Sequence, residues 1–191
     1  MCPRPDHHNQ VHQKENVPIN RRKDVTYGSF VCSVKPEKKE RNRTRFVVGG
    51  YHTNYPGEVA APTADMLVAN LLFNSVVSTP GAKFMTIDIS NFYLMTPLRR
   101  DKYICINIKD IPDEIIKEYN IKDKDTVDGA VYIEANQGMY GLPQSGLLAN
   151  QLLGKCLNKR LYYQSKSVPG LWKHKWRQVH FALVVDDFGV K

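Results

Sequence analysis

Alternating apolar and polar residues near the start of the chain are typical of β-strands. The alternation covers residues 27–34 and returns in residues 44–48, after a charged link over residues 35–43. Because successive side chains of a strand point to opposite faces, a period of two predicts a two-stranded ribbon with a basic tip. Residues 1–22 are polar and without periodicity, and they predict a loosely ordered lead-in.

Longer apolar runs predict two main helices. The run at residues 66–73 follows Thr63, which predicts a helix over residues 63–78 that Thr63 caps and that is buried on most sides. Apolar residues at helical spacing after Ser145 predict a second helix over residues 145–160, with Ser145 as its cap.

Short runs rich in β-branched and aromatic residues predict the strands. Pro112 in a first turn predicts a short helix over residues 111–120. We therefore expect an α+β fold in which an antiparallel sheet is backed by the two main helices. The predicted strands cover residues 83–89, 103–108, 131–134, 172–176 and 179–185.

The charge balance of the chain is basic. Lys and Arg number 27 against 19 Asp and Glu, a formal net charge of +8 over 191 residues, and the excess lies mostly in residues 21–45 and 155–177. Such a surplus favours a polyanionic partner such as nucleic acid. Solvated basic faces account for it equally well, so charge alone leaves both interpretations open.

Cysteine spacing and hydropathy argue against two classes of protein. The four cysteines are scattered, without the close pairs that zinc sites use, and they predict reduced thiols in an intracellular protein that lacks a secretory leader. No apolar run approaches the roughly 20 residues that a helix needs to cross a bilayer. We therefore expect no membrane span.

Three acidic residues follow predicted strands. Asp88 closes the strand over residues 83–89, and Asp186 and Asp187 fill the turn after the strand over residues 179–185. Their apolar flanks would make these carboxylates costly to bury unless a cation offset them. Mg²⁺ prefers oxygen ligands, and two such ions can activate a hydroxyl and stabilise a departing pyrophosphate. Each piece alone has a plainer interpretation, because aspartates are ordinary in turns and at helix caps.

Three segments in a fixed order carry a resemblance to a known family. They read Thr-Ile-Asp-Ile-Ser-Asn-Phe-Tyr at residues 86–93, Gln-Gly-Met-Tyr-Gly-Leu-Pro-Gln-Ser-Gly at 137–146 and Leu-Val-Val-Asp-Asp-Phe at 183–188. In order and separation they resemble the catalytic motifs of reverse transcriptases from long-terminal-repeat retrotransposons and retrovirus-like polyproteins. The resemblance implies an RNA-directed DNA polymerase, a nucleotidyltransferase that adds deoxynucleotides from their triphosphates to a primer 3′ end on an RNA or DNA template.

The resemblance assigns the acids to metal binding. Asp88 and Asp186 would be the main ligands of two Mg²⁺ ions, for which Mn²⁺ can substitute, and Asp187 would be the supporting carboxylate. The carbonyl of Ile89 would touch the metal ion on the nucleotide side. Tyr93 matches the family's aromatic gate, whose ring occupies the space of a ribose 2′-hydroxyl. Without the family, a buried core tyrosine would be the preferred interpretation.

The resemblance also assigns nucleotide contacts. Gly141 and Gln144 lie in a Gly-Leu-Pro-Gln loop expected against the incoming nucleotide, where glycine permits close backbone approach and glutamine offers a donor and an acceptor. Arg45 matches the fingers arginine that reaches the triphosphate, although an exposed arginine on a solvated ribbon fits equally well. Lys38 is our choice for the assisting lysine, with Lys35 and Lys39 as competitors.

The implied architecture is the fingers and palm of a polymerase without its thumb. The fingers are expected over about residues 23–62 and 101–142 and the palm over about residues 63–100 and 143–191, by the resemblance. The chain stops just after the third motif. We therefore expect missing thumb and ribonuclease H segments of a longer polyprotein, little activity of this chain alone, and a location in the cytoplasm or an element-encoded particle.

Two other functions stay open. An inactive or domesticated retroelement remnant would keep the sheet and at most bind nucleic acid. Another two-metal palm enzyme, such as a nucleotide cyclase, would share the paired acids but would not need the Leu-Pro-Gln loop. The intact Asp88, Tyr93, Asp186 and Asp187 argue against a remnant, and the end of the chain after the third motif argues for one. The sequence also departs from the family at Val184, where tyrosine is common, and at Gly49 and Gly50, which replace an acidic and basic stretch.

Overall fold

The structure is a computed structural model of the chain and describes residues 10–37, 39–50, 53, 55–124 and 129–191. The chain forms two compact units. The first unit comprises Met1–Pro56 and Pro97–Ser145, and the second comprises Gly57–Thr96 and Gly146–Lys191. Each unit contains a five-stranded sheet, so the protein is a mixed α and β structure built on two sheets.

The elements are numbered in chain order. The α-helices are α1 (Met66–Val77), α2 (Asp113–Glu118) and α3 (Ser145–Lys159). The strands are β1 (Gln10–His12), β2 (Thr26–Val34), β3 (Asn42–Val48), β4 (Met85–Asp88), β5 (Pro97–Asn107), β6 (Ala130–Gln137), β7 (Tyr162–Gln164), β8 (Leu171–His174), β9 (His180–Val184) and β10 (Asp187–Val190).

The sheet of the first unit has the strand order β1-β6-β5-β2-β3. The β2–β3 ribbon that the alternation predicts is confirmed as an antiparallel pair. Next to it, β2 runs parallel to β5, with Thr26 opposite Ile104. At the far edge β1 pairs with β6, so residues 10–12 form a strand within the segment expected to be loosely ordered. Buried Val17 lies in that same segment.

The core of the first unit lies against β5 and β6. Ile104, Ile106 and Val131 from these strands are buried together. Residues 108–124, which include the short helix predicted over residues 111–120, pack on this core with α2 between two 3₁₀ turns. Ile116 of α2 and Ile121 of the second turn complete the cluster. Burial of these isoleucines is therefore what attaches the segment to the sheet.

The sheet of the second unit is antiparallel throughout, with the order β4-β10-β9-β8-β7. Phe181 and Leu183 of β9 belong to a buried cluster that includes Leu153 of α3. Ala182 between them packs in another cluster with Leu72 of α1. Since neighbouring strand residues point to opposite faces, α1 and α3 cover opposite faces of this sheet.

Two expectations about α1 are wrong. Its cap is Asp65 rather than Thr63, because the Val68 N–H donates to the Asp65 carboxylate at 2.8 Å. Leu72 is the buried residue of this helix, and most of its other apolar side chains are exposed. An unbroken apolar run predicts a helix but not its partners, and here one face meets the sheet. The exposed side chains are Met66, Leu67, Leu71, Phe73 and Val77.

The second main helix, α3, is confirmed within one residue of its predicted end. Ser145 is its first residue, and the Ser145 hydroxyl accepts a hydrogen bond from the Met139 N–H at 3.1 Å. The serine therefore ties the preceding loop to the helix start instead of serving only as a cap. In the described part of the chain, no helix has the length and apolar character required to span a membrane.

Candidate metal and nucleotide sites

The three acids of the sequence motifs come together at one corner of the second unit's sheet. Asp88 ends β4 and lies opposite Asp187, the first residue of β10, in the antiparallel register. Beyond this pair, the Ile89 N–H donates to the Asp186 carbonyl at 3.0 Å. Residues far apart in sequence are thus adjacent along two paired strands. Asp88 and Asp187 face each other as direct cross-strand neighbours.

A tight hairpin turn sets the position of Asp186. Val184 of β9 pairs with Asp187 of β10, so Val185 and Asp186 form a two-residue connection. Val185 has φ +60°, a left-handed conformation that glycine or asparagine normally supplies in such turns. For a β-branched residue this backbone costs on the order of 1–3 kcal/mol. Strain of this kind directly before an acid is typical of functional turns.

The acids are more accessible than their apolar neighbours suggested. Asp88 and Asp187 are exposed, and Asp186 is half-buried. Ile87 and Val184 beside them are also exposed. The expectation that burial makes a cation necessary at this corner is therefore wrong. The carboxylates are instead open to solvent, where an incoming ion could reach them.

The donor chemistry of this corner suits Mg²⁺. That ion commonly takes one or two carboxylates and fills its remaining positions with water and phosphate oxygens, and Asp88, Asp186 and Asp187 offer a comparable number of oxygens. Across the residues that the structure describes, however, no three His, Cys, Asp or Glu side chains form a group ready to hold a metal ion. The backbone brings the ligands together, and a bound ion would have to gather their side chains.

Tyr93 lies close to the acidic turn. It begins a 3₁₀ turn, is half-buried, and its ring centroid is 5.6 Å from that of Phe92. Tyr93 and Val185 line a common pocket of about 210 Å³, with Gly146 of α3 also in its wall. The residue expected to select the sugar and the turn that carries Asp186 therefore border the same space. That space lies within the second unit.

Arg45 lies in the first unit and is exposed on β3. Its guanidinium carbon is 5.3 Å from the centroid of the Tyr140 ring, a cation–π contact. The Val48 N–H also donates to the Tyr140 carbonyl at 2.8 Å. Sequence reasoning did not single out Tyr140, although it stands inside the second motif. This tyrosine links Arg45 to the Gly-Leu-Pro-Gln loop.

Gly141 serves a contact within the chain. Its φ is +95°, and a Cβ there would lie 1.9 Å from the Val48 carbonyl oxygen. A Cβ on Gly50 would likewise lie 1.9 Å from the Gly141 carbonyl oxygen. The close backbone approach expected against a nucleotide is thus already used against the end of β3. It also explains the Gly50 departure from the family pattern, because two backbones meet where any side chain would clash.

Gln144 is buried, with 4% of its surface exposed. Its Oε1 atom is buried and has no hydrogen-bond partner among the described residues. A buried unpaired amide oxygen is destabilising by about 1–3 kcal/mol. The unpaired Oε1 atom agrees with the expectation that Gln144 accepts a hydrogen bond from a ligand. The burial does not match a side chain that already projects toward a ligand.

The lysine expectations are only partly covered by the structure. Lys38 lies outside the described residues. Lys35 and Lys39, its competitors, are exposed near the tip of the ribbon. The Lys35 N–H donates to the Arg41 carbonyl at 2.7 Å. The choice among the three lysines therefore stays a prediction.

Comparisons of the chain with protein-family models, with curated proteins and with solved structures found no match. The family therefore enters only through the three sequence motifs and the site geometry described above.

Proposed function

We propose that this chain is the fingers and part of the palm of a reverse transcriptase, and that it carries the catalytic acids for template-directed transfer of deoxynucleotides to a primer 3′ end. The observation that carries the proposal is the pairing of Asp88 with Asp187 and of Ile89 with Asp186 at one corner of an antiparallel sheet. The motifs that hold these acids, residues 86–93 and 183–188, lie in the two separate segments of the second unit's sequence. Their contact at one corner of the sheet supports the proposal.

The acids would bind two Mg²⁺ ions. Asp88 and Asp186 would be the main ligands, with Asp187 beside them. Bound there, the ions would lower the pKa of the primer hydroxyl and stabilise the pyrophosphate that leaves. The protein itself supplies no nucleophile, since positioning and charge stabilisation provide most of the catalysis in phosphoryl-type transfer.

The remaining residues would orient the nucleotide. Tyr93 would exclude a ribose 2′-hydroxyl, and its place in the pocket beside Val185 supports this role. Arg45 would offer its fork of donors to the triphosphate while its stacking on Tyr140 limits the directions that the side chain can take. The unpaired Oε1 of Gln144 would accept a hydrogen bond once the site is filled. Gly141 would act indirectly, by holding the loop against β3.

Primer extension on an RNA template tests the proposal. A polypeptide that continues this chain through a thumb should extend the primer in the presence of Mg²⁺, and Asp186→Asn should abolish synthesis while the fold is kept. Asp110→Asn is the matched control. It is the same Asp to Asn substitution, and Asp110 is an exposed acid in the first unit. Synthesis that survived Asp186→Asn, or that was equally lost in Asp110→Asn, would contradict the assignment.

Substrate choice separates the proposal from the two other functions. A polymerase should consume all four deoxynucleoside triphosphates as the template directs. A cyclase would instead convert one ribonucleoside triphosphate without a template. A remnant would bind the primer–template and consume neither deoxynucleoside nor ribonucleoside triphosphates. The Tyr93→Ala variant should also begin to accept ribonucleotides if the ring occupies the 2′ position.

A further inference from the structure

A cluster of cations lies in the first unit, apart from the residues assigned to chemistry or nucleotide binding. Arg21 Nε lies 3.5 Å and Arg100 Nη2 lies 3.4 Å from the same atom, Oδ2 of Asp24. Arg21 also donates through Nη2 to the Asp101 carbonyl and lies over the Tyr103 ring, 5.4 Å from its centroid. Two guanidinium groups thus share a single carboxylate oxygen.

Lys102 adds a third cation to this cluster. It is 8% exposed, and no hydrogen bond or ion pair of its side chain is present among the described residues. Burial lowers the pKa of Lys102, Arg21 and Arg100 lower it further, and Asp24 is the one carboxylate that raises it. Two cations and one carboxylate act on Lys102, so an additional anion would stabilise its charged form.

Cations outnumber acids among the groups that shift the pKa of Lys102. Arg21 and Arg100 lower that pKa and Asp24 raises it, while Asp101 and Glu134 act with Arg21 on the neighbouring Tyr103. Glu134 accepts a hydrogen bond from Tyr103 at 2.9 Å. The Arg100 side chain is 61% exposed, and it gives an anion access from solvent.

We propose that Arg21, Arg100 and Lys102 form a binding site for a phosphate of a nucleic-acid backbone. Arg100 would make the first contact from solvent, and Lys102 would add a second cation beside it. Phosphate oxygens suit the planar fork of arginine and the point charge of lysine. Such a contact reads no sequence and positions the duplex. The inference rests on the proposed function for the identity of the anion, and on the first unit's own geometry for the site.

The salt dependence of binding tests this site directly. The 191-residue chain is titrated into a short fluorescein-labelled RNA·DNA hybrid at several salt concentrations, and anisotropy gives the affinity. Lys102→Met and Arg100→Gln should each weaken binding about tenfold at low salt and reduce the slope of log affinity against log salt by about one. The matched control is Lys117→Gln, an exposed lysine of α2 in the same unit that removes the same charge.

The outcomes separate this inference from the proposed function. Equal affinities and slopes for all three variants, or no binding by the parent chain, would overturn the phosphate site. A second outcome would also overturn it: tripolyphosphate binds in a way that depends on Lys102, while no variant changes the affinity for the hybrid. The ligand would then be a free phosphate compound. Loss of slope in Lys102→Met and Arg100→Gln supports the site even where primer extension fails. The exposed Arg100 keeps the test valid if burial makes the Lys102 variant unstable.

Discussion

Single backbone positions decide how the loop before α3 is held. Gly141 combines a positive φ with contact against the Val48 carbonyl, and Gly50 meets the Gly141 carbonyl from the other side. Both positions exclude a Cβ for a steric reason, and Gly141 excludes it for a conformational reason as well. The loop that carries the second motif is therefore fixed by the absence of side chains and by the hydrogen bond from Val48 to Tyr140.

Gly141→Ala should destabilise the first unit strongly. The new Cβ would overlap the Val48 carbonyl oxygen in addition to straining the backbone. Gly129→Ala is the matched control, because Gly129 has φ +67° but open space around its Cβ position. We expect Gly141→Ala to lower the free energy of unfolding by about 2 kcal/mol more than Gly129→Ala, as measured by urea denaturation. An equal loss of unfolding free energy in the two variants would show that the contact with the Val48 carbonyl can accommodate a Cβ.

His180 makes the stability of the second unit dependent on pH. Burial lowers the pKa of His180 below its ordinary 6.5, and Lys191 and Lys173 lower it further. On acidification the unfolded chain therefore takes up the proton first. The stability from neutral His180 is present above pH 6.5 and is lost as the pH falls through the lower folded-state pKa.

His180→Gln should flatten this dependence. The difference in unfolding free energy between parent and variant should shrink as the pH falls from about 7 to about 5, because only the parent has a protonatable side chain at position 180. Urea denaturation at a series of pH values measures it. Parallel curves for parent and variant over that range would show that His180 keeps its ordinary pKa.

At the scale of elements, α1 is capped by Asp65, which the sequence pattern did not identify as the cap. Asp65→Ala removes the acceptor of the Val68 N–H and should lower the free energy of unfolding by about 1 kcal/mol. Thr63→Ala, at the position that the sequence favoured, should cost less because Thr63 does not cap the helix in the structure. Thermal or urea unfolding of both variants compares them. A larger loss from Thr63→Ala would restore the original assignment.

Local patterns predicted the elements that are visible within a short window. The β2–β3 ribbon, α3 and the strands β4, β8 and β9 each have a period or a composition of their own, whereas β7 and β10 of the second sheet were not predicted. The three-residue β1 and the parallel pairing of β2 with β5 were missed, since both depend on partners far along the chain. The exposure of α1 was missed for a related reason, because an apolar run does not say which surfaces are available to cover it.

The candidate site was predictable in part for the same reason. Motif spacing selected the acids, and strand prediction placed Asp88 and the Asp186–Asp187 pair next to strand ends. It could not supply the register that sets Asp88 opposite Asp187, nor the exposure of these side chains. The sequence did offer one indication of strain at Val185. The connection between the two apolar strands has two residues, and neither of them is glycine. The stacking of Arg45 on Tyr140 had no local sign.

At the scale of the whole molecule, the two units divide the proposed work. The acids and Tyr93 belong to the second unit, while Arg45, Gly141, Gln144 and the cluster around Lys102 belong to the first. Each unit has its own sheet and its own buried clusters. Metal binding and nucleic-acid binding should therefore respond to different substitutions, and each can be measured without the other.

Paramagnetic relaxation by Mn²⁺ tests the metal site most directly. On titration of the isotope-labelled chain, we expect selective broadening of amide signals at the ends of β4 and β10, around Ile89 and Asp186, and recovery when excess Mg²⁺ displaces Mn²⁺. Asp186→Asn should remove the broadening, and Asp110→Asn should leave it in place. Broadening that spread evenly over the acidic surface, or that persisted unchanged in Asp186→Asn, would contradict a divalent-cation site at this corner of the sheet.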